Sequence, residues 1–308
     1  MCLILFGYKV SKKYPLIFAA NRDEFYHRPT VPMQFWKESP SILAGKDLEQ
    51  GGTWFGLHKN GHFAALTNFR DPSTVNPNAP SRGEIIIDFL GSNALPEPYF
   101  NETAIKPSGY NGFNLLLGNK ENLFWFSNLK NTIEKIQPGI HGLSNRFLDT
   151  PWPKVTSGKA AMAKIIKKPI TLESLFSILT DQSVPEDTKL PHTGVSLEWE
   201  RILSSVFIQN DTYGTRSSTV MLVDETGNLE VSERTYDPKN RQEYKDQTFF
   251  VPAKIHKSYH RTITKTSSFG TPGRVSHDSP TLNSGKVDKS TILRNTCFKK
   301  PVLKKDVF

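Results

Sequence analysis

The first 25 residues contain two apolar runs joined by a short polar turn, a pattern typical of an antiparallel hairpin. The runs are residues 3–6 and 15–20, and the turn is SKK at 11–13. Folding this hairpin about Lys12 brings Cys2 opposite a residue near position 22. The N-terminal end of the first strand is therefore predicted to lie beside the tetrapeptide NRDE at 21–24.

More hairpins follow, separated by a helical middle section. Asn60-Gly61 is a strong turn signal that pairs Thr53 with Asn68, and further strands are predicted over 113–117, 123–126, 217–223 and 229–234. Helices are predicted over 83–90, 154–167, 172–179 and 197–207. The order of hairpins, helices and hairpins predicts an α+β protein in which helices cover the outer faces of stacked, mainly antiparallel sheets.

The net charge of +9 on 308 residues lies in one segment. Residues 253–308 carry 12 Lys and Arg against 3 Asp, whereas the rest of the chain carries 27 charges of each sign. We therefore expect a neutral domain over residues 1–252 and a basic, Ser/Thr-rich, disordered tail over 253–308. The tail is either an arm that touches polyanions or membranes or a solvated extension, and no specific nucleic-acid partner is expected.

Several classes of protein are excluded by what the chain lacks. It has no run of about 18 apolar residues and no signal-peptide pattern, so we expect no transmembrane segment and a cytoplasmic location. Its two cysteines, Cys2 and Cys297, cannot form a disulfide framework or a multi-cysteine zinc site. The eight histidines include no metal-ligand pair, so neither a metal nor a cofactor is expected.

Cys2 has two interpretations, an incidental cysteine and a nucleophile. Methionine aminopeptidases remove Met1 before a small residue, which would leave a cysteine whose thiolate and free α-amine act as nucleophile and base. The predicted hairpin brings Asp23 near the α-amine, and the Asn21 amide or the Arg22 guanidinium near a substrate. This convergence favours the catalytic interpretation.

A set of short motifs is similar to the NRDE family, which includes the transport and Golgi organisation protein 2 homologues. The matching segments, in order, are MC at 1–2, AANRDEFY at 19–26, GGTW at 51–54, AALTN at 64–68, RGE at 82–84, YNGFN at 110–114, GLSN at 142–145, TPW at 150–152 and YGTR at 213–216. The resemblance extends from residue 1 to about residue 250, and the tail lies outside it.

The NRDE family in turn resembles the cysteine N-terminal-nucleophile (Ntn) hydrolases, which implies an αββα sandwich. The resemblance implies that Asp23 supports the nucleophile, that Asn68 is the oxyanion residue and that Asn145 is a second active-site asparagine. Ala20 stands where those hydrolases have an arginine, and Arg201 is the candidate for a further catalytic arginine.

Each implied role has a structural alternative. Asn68 and Asn145 could cap their own turns, and Asp23 could pair with a neighbouring arginine. Arg216 is either a clamp for a substrate carboxylate or phosphate or part of a structural ion pair. Trp54 belongs to an aromatic set that either lines an acyl pocket or packs in the core.

Two functions from different classes remain open. The first is a cysteine amidohydrolase or acyltransferase acting on a small amide or thioester. The second is a non-catalytic carrier of a hydrophobic ligand, haem or an acyl-lipid or acyl-CoA, as the family resemblance implies. Retention of Cys2 with Asp23, Asn68 and Asn145 favours the enzyme, and Ala20 favours the carrier. Either form is compatible with a homo-oligomer.

Overall fold

Two antiparallel sheets form the centre of the protein. The computed structural model describes residues 2–92, 94–102, 109–240 and 242–253. In spatial order, the first sheet contains β10 (Gly139–Leu143), β1 (Cys2–Tyr8), β2 (Leu16–Phe25), β11 (Tyr213–Val223), β12 (Leu229–Tyr236) and β13 (Tyr244–Val251). The second sheet contains β3 (Thr30–Phe35), β4 (Ile42–Asp47), β5 (Phe55–His58), β6 (Phe63–Asn68), β7 (Phe113–Gly118), β8 (Leu123–Ser127) and β9 (Thr132–Lys135).

Helices cover the outer faces of both sheets. α1 (Gly83–Ser92) and α2 (Pro96–Glu102) pack on the second sheet, and α3 (Pro153–Ile166) and α4 (Leu172–Ile178) pack on the first. A short α5 (Leu197–Ile202) lies against Tyr213 at the start of β11. The predicted α+β class and its αββα layers are confirmed.

The N-terminal hairpin is buried on both faces, which explains its continuous apolar sequence. Ile4 and Phe6 of β1 belong to the core between the sheets, whereas Leu3 and Leu5 pack beneath α3 and α4. With both faces buried, slippage of β1 would disrupt two cores at once. This double burial fixes the position of Cys2 at the start of the strand.

The second hairpin differs from its prediction by one residue. Its loop contains Lys59, Asn60 and Gly61, because the His58 N–H donates to the His62 carbonyl, and Gly61 has a φ of 92°. A left-handed glycine at the end of a three-residue loop replaces the predicted two-residue turn. Phe55 therefore pairs with Ala65, and the extended register brings Thr53 opposite Thr67, not Asn68.

The predicted helices are present, but some of them begin or end at other residues than predicted. α5 ends at Ile202, so the predicted continuation to residue 207 is wrong; residues 203–208 contribute buried side chains from a non-helical segment. In the described residues, no helix has the length and apolar character needed to cross a membrane. From residue 254 onward the predicted tail lies outside the described residues, and the boundary at 252 remains a prediction.

Candidate active site

Cys2 lies at the start of β1, directly opposite Arg22 of β2. The hairpin prediction is thus confirmed. Cys2 is partly exposed, and its carbonyl oxygen accepts a hydrogen bond of 3.2 Å from the Ser144 hydroxyl. In the chain that retains Met1, burial raises the pKa of the Cys2 thiol.

Asp23 lies next to Cys2 and is 1% exposed. The Asp23 backbone hydrogen-bonds to the Cys2 thiol, and the Thr215 hydroxyl donates to Asp23 Oδ1 over 2.7 Å. Burial raises the pKa of the Asp23 carboxyl, while the nearby Lys154 acts in the opposite direction. A carboxylate and a thiol are thus held together at one end of the first sheet.

Asn68 ends β6 of the second sheet, and Asn145 follows β10 of the first. The Asn145 side-chain amide donates to the Asn68 carbonyl over 2.9 Å, and the Ser144 hydroxyl lies 3.3 Å from Asn145 Oδ1. Ser144 therefore links Asn145 to Cys2. The Asn145 carbonyl accepts from the Arg70 N–H over 2.8 Å, so the main chain around Asn68 is anchored on both sides.

A small cavity of about 30 Å³ opens beside Asn68. Arg82 and Gly112 help to line it, and the Arg82 guanidinium donates to the Gly112 carbonyl over 3.1 Å. Burial lowers the pKa of Arg82 to about 10, with Glu24 opposing that shift. The cavity therefore has an amide and a guanidinium at its walls, donors suited to a negatively charged oxygen.

Arg22 carries a buried guanidinium beside Cys2. Arg22 is 5% exposed, and the central carbon of its guanidinium lies 4.2 Å from the centre of the Trp54 ring. Its Nη2 is 3.9 Å from carboxylate oxygens of Glu24 and Asp47. Among the described residues, none accepts a hydrogen bond from Nη1. Trp54 thus supports the guanidinium of Arg22, and the structure brings both to the site.

Three charged side chains near Cys2 and Asp23 were missed by sequence reasoning. Arg70 and Glu200 form a buried ion pair of 2.8 Å, and Glu200 Oε1 also accepts from the backbone and hydroxyl of Thr193. Lys154, the second residue of α3, is 3% exposed and interacts electrostatically with Asp23 and Cys2. A lysine in the first turn of a predicted helix was the available signal, because that position disfavours positive charge.

The comparisons with known proteins decide the family. The model of the family described as Transport and Golgi organisation 2 matches residues 1–238. The chain belongs to this family. Relatives include the Transport and Golgi organization 2 homologues of Bos taurus, 36% identical over 76% of this chain and 93% of that one, and Mus musculus, 33% identical over 81% and 98%. The Drosophila melanogaster protein is 30% identical over 76% and 92%.

Two solved structures resemble the fold of this Transport and Golgi organisation 2 family member loosely. A C2A mutant of conjugated bile acid hydrolase from Clostridium perfringens has a TM-score of 0.44 and 11% identity, covering 81% of this chain and 96% of that one. A Caenorhabditis elegans N-acylethanolamine-hydrolyzing acid amidase orthologue has a TM-score of 0.36 and 10% identity, covering 72% and 92%. Similarity at this level says nothing about chemistry.

Asn21, although adjacent to Arg22, has a structural position in this family member. Its side-chain amide donates to the carbonyls of Leu179 and Val206, each over 2.9 Å, and its Oδ1 accepts from the Ser218 hydroxyl over 2.6 Å. Alternation along β2 turns Asn21 toward the helices, on the opposite face from Arg22. The predicted contact of Asn21 with substrate is therefore replaced by contacts that fix the loops beside the sheet.

The two other predicted arginines have partners of their own. Arg216 donates to the carbonyls of Phe25 and Arg28, each over 2.9 Å, and so holds the turn after β2. Arg201 is about half exposed and pairs with Asp187 through Nε and Nη2 at 2.8 and 2.6 Å. Helical periodicity turns Arg201 to the surface and its neighbour Glu200 inward, so the structure engages Arg201 with Asp187 at the surface.

The buried Arg70–Glu200 pair predicts a large stability effect. Glu200→Gln will lower the free energy of unfolding by about 3 kcal/mol, because it leaves the Arg70 charge buried without its counter-ion. Denaturant unfolding measures the effect. Glu198→Gln, at an exposed position of the same helix, should change it by less than about 0.5 kcal/mol. Equal effects of the two substitutions would contradict the role of the ion pair.

Proposed function

We propose that this family member is a cysteine amidohydrolase or acyltransferase acting on a small amide or thioester, with Cys2 as nucleophile after removal of Met1. The observation that supports the proposal is that Asp23 lies beside the Cys2 thiol, while Ser144 connects Cys2 to Asn145, which in turn holds the Asn68 carbonyl. A binding protein has no need of a buried carboxylate beside a thiol at the end of a strand.

The reaction begins when the Cys2 thiolate attacks the carbonyl carbon of the substrate. The α-amine of Cys2 takes the thiol proton and returns it to the leaving amine or thiolate. The negative oxygen of the tetrahedral intermediate is stabilised by the Asn68 side-chain amide, whose strand end is anchored by Asn145. Water or a second nucleophile then releases the acyl group from the Cys2 sulfur.

Asp23 and Arg22 have supporting roles in this mechanism. Asp23, held by Thr215, is proposed to orient the α-ammonium group of Cys2. Arg22 is proposed to orient the substrate. Its guanidinium is stacked on Trp54, and its Nη1 donates no hydrogen bond to any described group. It lies two residues from Ala20, on the same face of β2, and offers a guanidinium near the position where the Ntn hydrolases have theirs.

The alternative is a carrier of haem or an acyl-lipid on the same fold. Ala20 is the observation that favours it, since it packs against the apolar core between the sheets and brings no charge to the site. The cavity beside Asn68, about 30 Å³, is far smaller than either ligand. It is also smaller than an acyl amide or thioester, so its volume does not separate the two functions.

The proposal predicts a processed and reactive N-terminus. Intact mass should give a chain that begins at Cys2, because Met1 precedes a small residue. Alkylation at pH 7 should be much faster at Cys2 than at Cys297, because removal of Met1 puts an α-ammonium group beside the thiol and lowers its pKa. Retention of Met1, or equal alkylation of the two cysteines, would contradict the proposal.

A further inference from the structure

Lys154 departs from two general rules: a buried charge is normally paired, and a positive charge is disfavoured at the start of a helix. Its side chain is 3% exposed, and within the described part of the chain no group hydrogen-bonds to its Nζ. It is also the second residue of α3, where the helix dipole opposes a positive charge. A buried ammonium that satisfies neither rule needs a compensating interaction, and such exceptions concentrate at functional sites.

Four charged or titratable groups on the surrounding elements interact electrostatically with Lys154. They are Asp23 of β2, Cys2 of β1, Arg70 after β6 and Glu200 of α5. Glu200 is already engaged by Arg70 and Thr193, at 2.7 to 2.8 Å. The charge of Lys154 therefore acts mainly on the Asp23 carboxylate and on the Cys2 sulfur.

We propose that Lys154 is a positioning residue whose positive charge keeps Asp23 ionised and favours the thiolate of Cys2. Lys154 does not take the thiol proton, which goes to the α-amine of Cys2; it offsets the negative charge that remains on the sulfur. The inference rests on the proposed function for the identity of the nucleophile, but the reactivity of the thiol can be measured without any substrate.

The charge of Lys154 has a defined pH range. Burial lowers the pKa of Lys154 to about 8, with Asp23 opposing that shift. The ammonium form is therefore present below about pH 8 and is lost as the pH rises through that value. Stabilisation of the Cys2 thiolate by Lys154 follows the same range.

The experiment compares the alkylation of Cys2 by iodoacetamide from pH 5.5 to 10 in the full chain. Peptide mass spectrometry separates Cys2 from Cys297. The variants are Lys154→Met, which removes the charge, Lys154→Arg, which keeps it, and Lys164→Met, an exposed lysine of the same helix as the matched control. A melting temperature is recorded for each.

We expect Lys154→Met to react about tenfold more slowly at pH 7, which corresponds to one unit in the thiol pKa. The difference from the wild type should narrow above pH 9, where Lys154 is neutral. Lys154→Arg and Lys164→Met should stay within about twofold of the wild type. A folded Lys154→Met that reacts like the wild type, or a folded Lys154→Arg as slow as Lys154→Met, would overturn the proposal.

Should Lys154→Met fail to fold, the wild type and Lys154→Arg still test the proposal. The wild-type profile should bend near pH 8 as Lys154 loses its proton, whereas Lys154→Arg stays charged and should lack that bend. Identical profiles would overturn the proposal. If no substrate is turned over but the alkylation rate of Cys2 depends on Lys154, the proposed enzyme is rejected and this inference is retained. If substrate is turned over but the alkylation rate of Cys2 does not depend on Lys154, this inference is rejected and the proposed enzyme is retained.

Discussion

Replacing Cys2 with alanine will reduce turnover of acyl amides and acyl thioesters to the uncatalysed background. The substitution removes the sulfur that forms the covalent acyl intermediate, while the polar groups around it keep their hydrogen bonds to the main chain. The measurement is steady-state hydrolysis of an acyl-amide and acyl-thioester panel by the wild type and Cys2→Ala, with melting temperatures to establish that both are folded.

Cys297→Ala is the matched control, since it removes the other cysteine of the chain. It should leave turnover unchanged. The carrier hypothesis predicts a different result: the wild type would hydrolyse nothing in the panel, and Cys2→Ala would bind a hydrophobic ligand with nearly unchanged affinity. Residual turnover by Cys2→Ala at the wild-type rate would also contradict Cys2 as the nucleophile.

The position of Cys2 could be predicted from the sequence because one short turn and two apolar runs determine it. The observed partner of Cys2 is Arg22, as the hairpin arithmetic required. The Asn60-Gly61 hairpin was harder, since the same dipeptide fits loops of two or three residues and the two differ by one position in register. Local sequence therefore predicts the existence of a hairpin more accurately than it predicts the pairing of its residues.

Two of the strands that were missed, β9 and β13, share a physical property. β9 is exposed throughout, and β13 is exposed over most of its length, so neither shows the alternation that identifies a half-buried strand. β13 is held by pairing with β12 and by contacts such as the Arg234–Asp246 ion pair at 2.9 Å. Such contacts are tertiary and leave no periodic pattern in the sequence.

The charged residues that were missed are buried. Lys154 and Glu200 are ordinary helix residues in sequence, and only the packing of α3 and α5 against the end of the first sheet buries them. Motif resemblance suggested Arg201, whereas burial selects the adjacent Glu200. Candidate residues in the hairpin could thus be predicted from local sequence, but those delivered by helices required the packed structure.

Asn68→Ala will lower kcat by roughly 10² to 10³, with a smaller change in KM, as loss of one oxyanion donor does. Asn68 ends β6 opposite Phe113, and its carbonyl is held by Asn145, so its side chain is presented from a fixed strand end. A donor fixed in this way acts mainly on the transition state. Steady-state kinetics on the best substrate of the panel provide the measurement.

Asn78→Ala, an exposed asparagine in the loop after β6, is the matched control for this substitution and should leave both constants within about twofold of the wild type. A rise in KM with kcat unchanged would place Asn68 in ground-state binding and reject its oxyanion role. Because Asn68 was assigned by motif resemblance and the hairpin register differs by one residue from its prediction, this substitution tests the resemblance independently of the strand arithmetic that placed Cys2.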